Sequence, residues 1–130
     1  MSLDVSTSQS IQIIDISDRI EQRLPDDLTG LCTVFVPHTT AGITVNENEA
    51  GLLADIEASL ERLVPAGAAY EHNAIDDNAT AHLRSMLVGP EVTLPVVEGK
   101  LDLGTWQSVL FVEGDGPRSR RVTVRTTASS

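Results

Sequence analysis

The alternation of hydrophobic and polar positions along the chain favours β-strands over most of its length. Apolar and β-branched runs bounded by Gly, Pro or Asn predict strands, and they cover Ser10–Ile16, Leu31–Val36, Ile43–Val45, Val92–Val97, Leu101–Leu103, Thr105–Glu113 and Arg121–Thr127. Most of these runs are joined by short turns, which favours antiparallel pairing. We therefore expect one domain over residues 1–130 with an α+β fold: a mainly antiparallel, β-sandwich-like sheet with two to three helices.

Three segments have the spacing of helices: a short one that Pro25 ends, a longer one that Pro65 ends, and a third over Ala79–Val88. The longer helix is expected to bury a stripe of leucine and isoleucine, namely Leu52, Leu53, Ile56, Leu60 and Leu63. The side chains expected to cap the three helices are Asp18 with Glu21, Asn46 with Glu49 or Asn48 alone, and one of Asp76, Asp77 and Asn78.

The composition narrows the classes of function. Hydrophobic residues make up 41% of the chain and only four residues are aromatic, so the core is expected to consist of Val, Leu, Ile and Ala. The net charge of −10 disfavours binding to nucleic acid or to an anionic membrane. The first ten residues lack the basic and apolar regions of a secretory signal, which favours a cytoplasmic protein. Cys32 lies in an apolar run and is interpreted as a small buried side chain.

Polar chemistry is concentrated in the central segment Thr33–Glu49. His38 follows an apolar strand that Pro37 ends, and Thr39 and Thr40 lie in the turn after it. Strand ends and loops on a rigid scaffold commonly carry sites, so this segment is the first candidate. The two threonines either bind an anionic ligand or satisfy the backbone of the turn.

The three histidines are His38, His72 and His82, which are 34 and 10 residues apart. Three imidazoles suit an open site for a divalent metal such as zinc, but this spacing is not a diagnostic motif. From the spacing alone, three unrelated surface or capping histidines are the somewhat better explanation. Nearby carboxylates, namely Glu47, Glu71 and Asp77, either orient imidazoles or act as a general base, or else serve as helix caps.

Arg118, Arg120 and Arg121 form a cationic patch in an otherwise acidic chain. Arginine binds phosphate or carboxylate in bidentate fashion, so the patch suits an anionic ligand. Cross-strand ion pairs are the alternative. Trp106 lies in the unusual string Gly104–Gln107 and is interpreted as a core or subunit-interface residue.

Three strings in the sequence resemble a known family. They are PHTTAGITVNENE, YEHN followed by DDNATAHLRSMLVG, and GKLDLGTWQSVLFVEGDGPRSRRV, and in this order they are similar to the YjbQ-like secondary thiamine-phosphate synthases. The resemblance implies an α+β homotrimer and a divalent metal, zinc or magnesium, on His38, His72 and His82. It places the surrounding polar residues at Glu47, Asn48, Asp77, Thr105, Gln107 and Arg120. The sequence departs from the pattern at Gly114, where a larger residue is expected.

The activity that the resemblance implies is the joining of a hydroxymethylpyrimidine diphosphate to a thiazole phosphate with loss of pyrophosphate. On this hypothesis the catalytic residues are Glu47, Asp77 and Arg120. The residues that bind the phosphorylated ligand are Thr39, Asn48, Thr105 and Gln107. Two alternatives stay open. One is a metal-dependent phosphate-ester hydrolase that uses the same residues, and the other is a non-catalytic trimer that binds a metal or a small ligand.

Overall fold

Two antiparallel sheets form the frame of the protein in a computed structural model that describes residues 1–130. Eight strands occur in chain order: β1 (Ser2–Ser6), β2 (Gln12–Asp15), β3 (Gly30–Phe35), β4 (Ala41–Asn46), β5 (Glu91–Val97), β6 (Lys100–Leu101), β7 (Ser108–Glu113) and β8 (Ser119–Ala128). One sheet has the order β1-β8-β3-β5-β6 and the other β2-β7-β4. The predicted α+β fold with antiparallel sheets is confirmed.

The helices are α1 (Ser17–Glu21), α2 (Ala50–Leu63), a 3₁₀ turn (Glu71–Ala74) and α3 (Ala79–Val88). None of them is long and apolar enough to cross a bilayer.

The core lies between the two sheets and follows the two-residue period of the strands. In β8, Val122 and Val124 are buried, and Arg120 occupies the next inward position of the same strand. In β7 every residue from Val109 to Glu113 is buried. The inward row of each strand therefore changes from apolar to charged at one edge of the core, where Arg120 and Glu113 meet.

Cys32 is fully buried in β3, and burial raises the pKa of its thiol to about 11. The thiol is therefore protonated at neutral pH, as expected for a packing residue.

Two of the strand predictions need correction. The strand β1 was not predicted, because its polar residues outnumber its apolar ones, yet Leu3 and Val5 alternate inward and the strand pairs with β8. The strand predicted from Thr105 begins at Ser108 instead. Gln107 explains this, since its side chain accepts a hydrogen bond from the Gly104 N–H at 2.8 Å and closes a turn. Trp106 lies on that turn and is 73% exposed.

The capping predictions were also wrong in detail. Asp18 lies inside α1, and Asp15 instead accepts a hydrogen bond from the Ser17 N–H at 2.9 Å. Glu21 binds the Leu101 N–H rather than its own helix. Glu49 alone caps α2, through the Leu52 N–H at 2.8 Å.

The stripe predicted for α2 is buried only at Leu60, while Leu63 is 70% exposed and the other three members are half-buried. This helix therefore lies on the surface of the protomer.

Candidate functional site

A cavity of about 620 Å³ opens where the two sheets and α3 meet. Strand pairing builds this place: Ala41 at the start of β4 lies opposite Glu113 at the end of β7, and Val5 in β1 lies opposite Arg120 in β8. The polar residues on its wall are His38, Thr39, Thr40, Asn78, His82, Asp115, Arg118 and Arg120. The structure brings six of the candidate residues to one cavity, namely His38, Thr39, Thr40, His82, Arg118 and Arg120.

A buried ion pair lies behind the cavity. Arg120 donates from Nε to Glu113 Oε1 at 2.8 Å, and its Nη2 also contacts Glu113 Oε2. Glu113 is fully buried and Arg120 is 6% exposed. The Glu113 carboxylate accepts two more hydrogen bonds, from Thr7 Oγ1 at 2.9 Å and from the Asp115 N–H at 3.0 Å. Such a pair is stable in the interior because the opposite charges are in contact and both carboxylate oxygens have further partners.

The charge state of Glu113 follows from these contacts. Burial alone would raise its pKa, but the hydrogen bonds from Arg120, Asp115 and Thr7 outweigh burial and hold the pKa below the ordinary value of 4.5. Glu113 is therefore ionised at neutral pH and fixes the position of the guanidinium.

Arg120 presents one nitrogen to the cavity. Its Nη2 donates to Thr40 Oγ1 at 2.8 Å, and its Nε is bound by Glu113. The remaining nitrogen, Nη1, has no hydrogen-bond partner in the protein. Since no fully buried side-chain nitrogen or oxygen lacks a partner, Nη1 retains some exposed surface, and Arg120 is one of the residues that line the cavity. A ligand therefore meets a pre-positioned positive donor.

A second chain of contacts runs along the other side of the cavity. Arg118 Nη2 pairs with Asp115 Oδ2 at 2.8 Å, and Asn78 Nδ2 donates to the same oxygen at 3.1 Å. His72 Nε2 lies 3.0 Å from Asn78 Oδ1. Because Asn78 is the donor to Asp115, its oxygen accepts from the His72 ring. Burial opposes ionisation of Asp115, but its bonds with Arg118 and Asn78 hold its pKa below the ordinary 3.8.

His38 is held by the backbone of β8. Its Nε2 accepts a hydrogen bond from the Arg121 N–H at 3.0 Å and lies 3.1 Å from the Arg121 carbonyl oxygen. Partial burial, and then the positive charge of Arg120, lower its pKa below 6.5 despite the opposing influence of the Arg121 carbonyl and Glu113. The ring is therefore neutral at physiological pH.

The three histidines are neighbours but do not form a ready-made metal site. His72 and His82 meet edge to face with ring centroids 4.7 Å apart, and His38 and His82 line the same cavity. No group of three or more His, Cys, Asp or Glu side chains has the proximity that a metal ion requires. The Nε2 atoms of His38 and His72 are already hydrogen-bonded, and Arg120 beside His38 would repel a cation. A metal on the three histidines, which the resemblance implies, would therefore require these hydrogen bonds to break and the rings to move.

The other predicted residues lie elsewhere. Asn48 binds Asp15 at 3.1 Å beyond the far end of β4, where Asn46 pairs with Ser108. Glu47 is its neighbour, and Thr105 and Gln107 lie on the turn before β7. With about 3.3 Å per residue, the two ends of β4 are roughly 17 Å apart. We call Glu47, Asn48, Thr105 and Gln107 the far group. Asp77 is exposed and lines none of the cavities described here.

The sequence interpretation missed Glu113, Asp115 and Thr7 as parts of the site. Glu113 ends an otherwise apolar strand, VLFVE, seven residues before Arg120. A lone carboxylate at the end of an apolar run, followed by a short turn and an arginine, is the signal that could have identified this pair.

Gly114 stands beside this network. Its N–H donates to the Thr40 carbonyl at 3.0 Å, and a Cβ at this position would lie 2.9 Å from that oxygen. The structure therefore leaves no room for the larger residue that the resemblance predicts.

The fold and the cavity define a class: an α+β protein with a polar cavity, lined by two arginines, between two antiparallel sheets. The family model described as UPF0047 protein YjbQ-like matches residues 1–129. The chain belongs to this family, as its three sequence strings predict.

Relatives cover nearly the whole chain. A UPF0047 protein of Archaeoglobus fulgidus is 50% identical over 96% of this chain and 98% of its own length. One from Methanothermobacter thermautotrophicus is 48% identical over 94% of this chain and 87% of its own. Two solved structures each have a TM-score of 0.94 and 41% identity to this chain. The match to a hypothetical protein of Aeropyrum pernix covers 99% of this chain and 98% of that protein. The match to a protein of unknown function from Sulfolobus solfataricus covers 99% of this chain and 96% of that protein.

Proposed function

We propose that the cavity binds a phosphorylated small molecule and that the protein joins a hydroxymethylpyrimidine diphosphate to a thiazole phosphate. The observation that supports this most is the guanidinium of Arg120, which buried Glu113 holds in the wall of a cavity that Arg118 also lines. In a chain with a net charge of −10, such a local positive site concentrates anions where the rest of the surface repels them.

The reaction needs charge stabilisation more than proton transfer. The thiazole nitrogen attacks the methylene carbon of the pyrimidine, and the bond from that carbon to the diphosphate oxygen breaks. The bonding electrons leave with the diphosphate, and the thiazole nitrogen becomes positively charged. Negative charge therefore grows on the departing oxygen, where fixed cationic donors lower the barrier.

The side chains of the cavity have separate roles in this proposal. Arg120 and Arg118 bind the diphosphate. His82, whose ring has no hydrogen bond within the protein, and Thr39 provide further contacts to the ligand. His38 stays neutral and helps to hold the strand that carries Arg120. Any divalent cation enters as part of the diphosphate substrate.

We further propose a homotrimer, with the far group of one protomer completing the cavity of the next. Two features support it: the far group lies away from the cavity of its own protomer, and Trp106 beside it is 73% exposed. Trp106→Ala should then dissociate the assembly, as light scattering would show. Mixed oligomers of His82→Gln and Glu47→Gln should regain activity that neither variant has alone. Activity in an isolated monomer would contradict a shared site.

The decisive experiment supplies both substrates and measures thiamine monophosphate and pyrophosphate together. Equal amounts of the two products are expected from the wild type. His82→Gln and Arg118→Gln should reduce the rate by about a hundredfold, the lower end of the range for one contact to developing charge. Arg62→Gln is the matched control, because it removes one positive charge from the exposed surface of α2.

The alternatives give different products. Release of inorganic phosphate without a pyrimidine donor would identify a phosphate-ester hydrolase. Binding of pyrophosphate with no product from either assay would identify a non-catalytic binding protein.

A further inference from the structure

A second cavity adjoins the cationic one and has the opposite character. It has a volume of about 390 Å³ and is lined by Tyr70, Glu71, His72, Ala79, His82 and Leu83. It contains no arginine or lysine, and its one charged residue is the carboxylate of Glu71. Phosphate would be repelled here, whereas an uncharged ring would not.

His82 belongs to both cavities. On one side its neighbours are Arg118 and Arg120, and on the other they are Tyr70 and Leu83. A ligand that fills both cavities must therefore pass this imidazole, with its anionic part on one side and its apolar part on the other.

The rings of the second cavity are held in place. The Tyr70 hydroxyl donates to the Pro65 carbonyl at 2.6 Å, and His72 is bound by Asn78 while its ring meets His82 edge to face. Aromatic walls that are already fixed lose little entropy when a flat ring binds against them.

We propose that this second cavity binds a planar nitrogen heterocycle whose phosphate groups occupy the cationic cavity. Tyr70 and Leu83 contact the faces of the ring, and Glu71 accepts a hydrogen bond from an exocyclic amino group. This inference rests on the proposed function and deepens it: the aminopyrimidine ring of the diphosphate donor lies in the second cavity, and its diphosphate lies past His82 at Arg118 and Arg120.

Calorimetric titration with two probes tests this assignment. Inorganic pyrophosphate reports the cationic cavity alone, and hydroxymethylpyrimidine diphosphate reports both. The wild type should bind the pyrimidine probe roughly tenfold tighter or more, the range that ring stacking provides. Tyr70→Ala should remove most of this preference and leave pyrophosphate affinity unchanged, while Tyr70→Phe should keep it. Glu71→Gln, at an exposed position, should weaken the pyrimidine probe alone.

Equal affinity for the two probes in the wild type would overturn the assignment. An equal loss of affinity for both probes in folded Tyr70→Ala would also overturn it. If Tyr70→Ala fails to fold, unchanged affinity for the pyrimidine probe in Glu71→Gln would overturn it instead. Failure of the proposed function is distinguishable. If the protein prefers the pyrimidine probe but forms no thiamine monophosphate, the ring assignment of the second cavity stands and only the proposed synthase reaction is wrong. If synthesis is unaffected in Tyr70→Ala and Glu71→Gln, the synthase reaction stands and the assignment of the ring to the second cavity is wrong.

Discussion

Glu113 binds Arg120 from inside the protein, with Glu113 Oε1 2.8 Å from Arg120 Nε and the carboxylate fully buried. The pair joins the end of β7 in one sheet to the start of β8 in the other, across the loop that contains Gly114. Thr40 extends the contact to the turn before β4. The same interaction therefore stabilises the edge of the core and positions the free nitrogen of the guanidinium.

Glu113→Gln should destabilise the protein strongly. Removing one charge of a buried pair leaves the other uncompensated, and we expect a loss of about 3 kcal/mol in the free energy of unfolding. Urea denaturation at neutral pH measures it. Glu61→Gln, at an exposed position of α2, is the control and should change stability by less than about 0.5 kcal/mol. Equal effects of the two substitutions would show that the pair is not structural.

The free energy of unfolding at acid pH should depend on the carboxylate of Glu113. Because the pKa of Glu113 in the folded protein lies below 4.5, the folded state binds fewer protons than the unfolded chain near that pH. Its contribution is complete above pH 4.5 and is lost as the pH falls through the folded-state pKa. Asp115 behaves in the same way below pH 3.8.

Urea unfolding from neutral pH to about pH 3 should therefore show a steeper fall for the wild type than for Glu113→Gln. Parallel curves would mean that Glu113 titrates as it does in the unfolded chain.

Local features of the site could be predicted from the sequence, and non-local ones could not. His38 was placed correctly because an apolar strand and Pro37 fix its position within a few residues. The contact of Thr7 with Glu113 spans 106 residues, and that of Thr40 with Arg120 spans 80. No local pattern encodes which strand ends meet, so this network emerges only when both sheets are assembled.

Trp106 shows a second kind of failure. Thr105 and Trp106 are residue types that favour a strand, but the Gln107 side chain competes for the Gly104 backbone and closes a turn. A side chain that bonds to nearby backbone overrides strand propensity in a way that composition does not show.

Gly114→Ala should disturb the site without changing any charge. The new Cβ would lie 2.9 Å from the Thr40 carbonyl, so the turn that contacts Arg120 must shift. We expect a loss of about 1–3 kcal/mol in the free energy of unfolding, the usual range for overpacking. Pyrophosphate affinity should fall as well.

Gly67→Ala is the matched control for Gly114→Ala, since a Cβ there has no atom within 4 Å. It should be neutral or slightly stabilising, because alanine restricts the unfolded chain. If both substitutions are neutral, the turn at Thr40 has room that the structure does not indicate.

His38 should titrate below its ordinary pKa of 6.5, because burial and the charge of Arg120 disfavour its protonated form. The folded state then binds fewer protons than the unfolded chain just below that pH. Its contribution to stability is intact above pH 6.5 and decreases as the pH falls below it. NMR titration of the ring signals gives the midpoint, and the signal missing in His38→Gln assigns the ring. A midpoint above 6.5 would contradict the combined influence of burial and the charge of Arg120.

Metal analysis separates a resident metal from a cation that arrives with the substrate. Because the Nε2 atoms of His38 and His72 are engaged by Arg121 and Asn78, we expect purified protein to contain far less than one metal ion per chain. Magnesium should instead raise the affinity for pyrophosphate, since it enters as part of the anion. Elemental analysis of the wild type beside His38→Ala and His82→Ala tests this. One zinc per chain in the wild type, lost in both variants, would show that the rings rearrange to bind metal and that the arginines do not act alone.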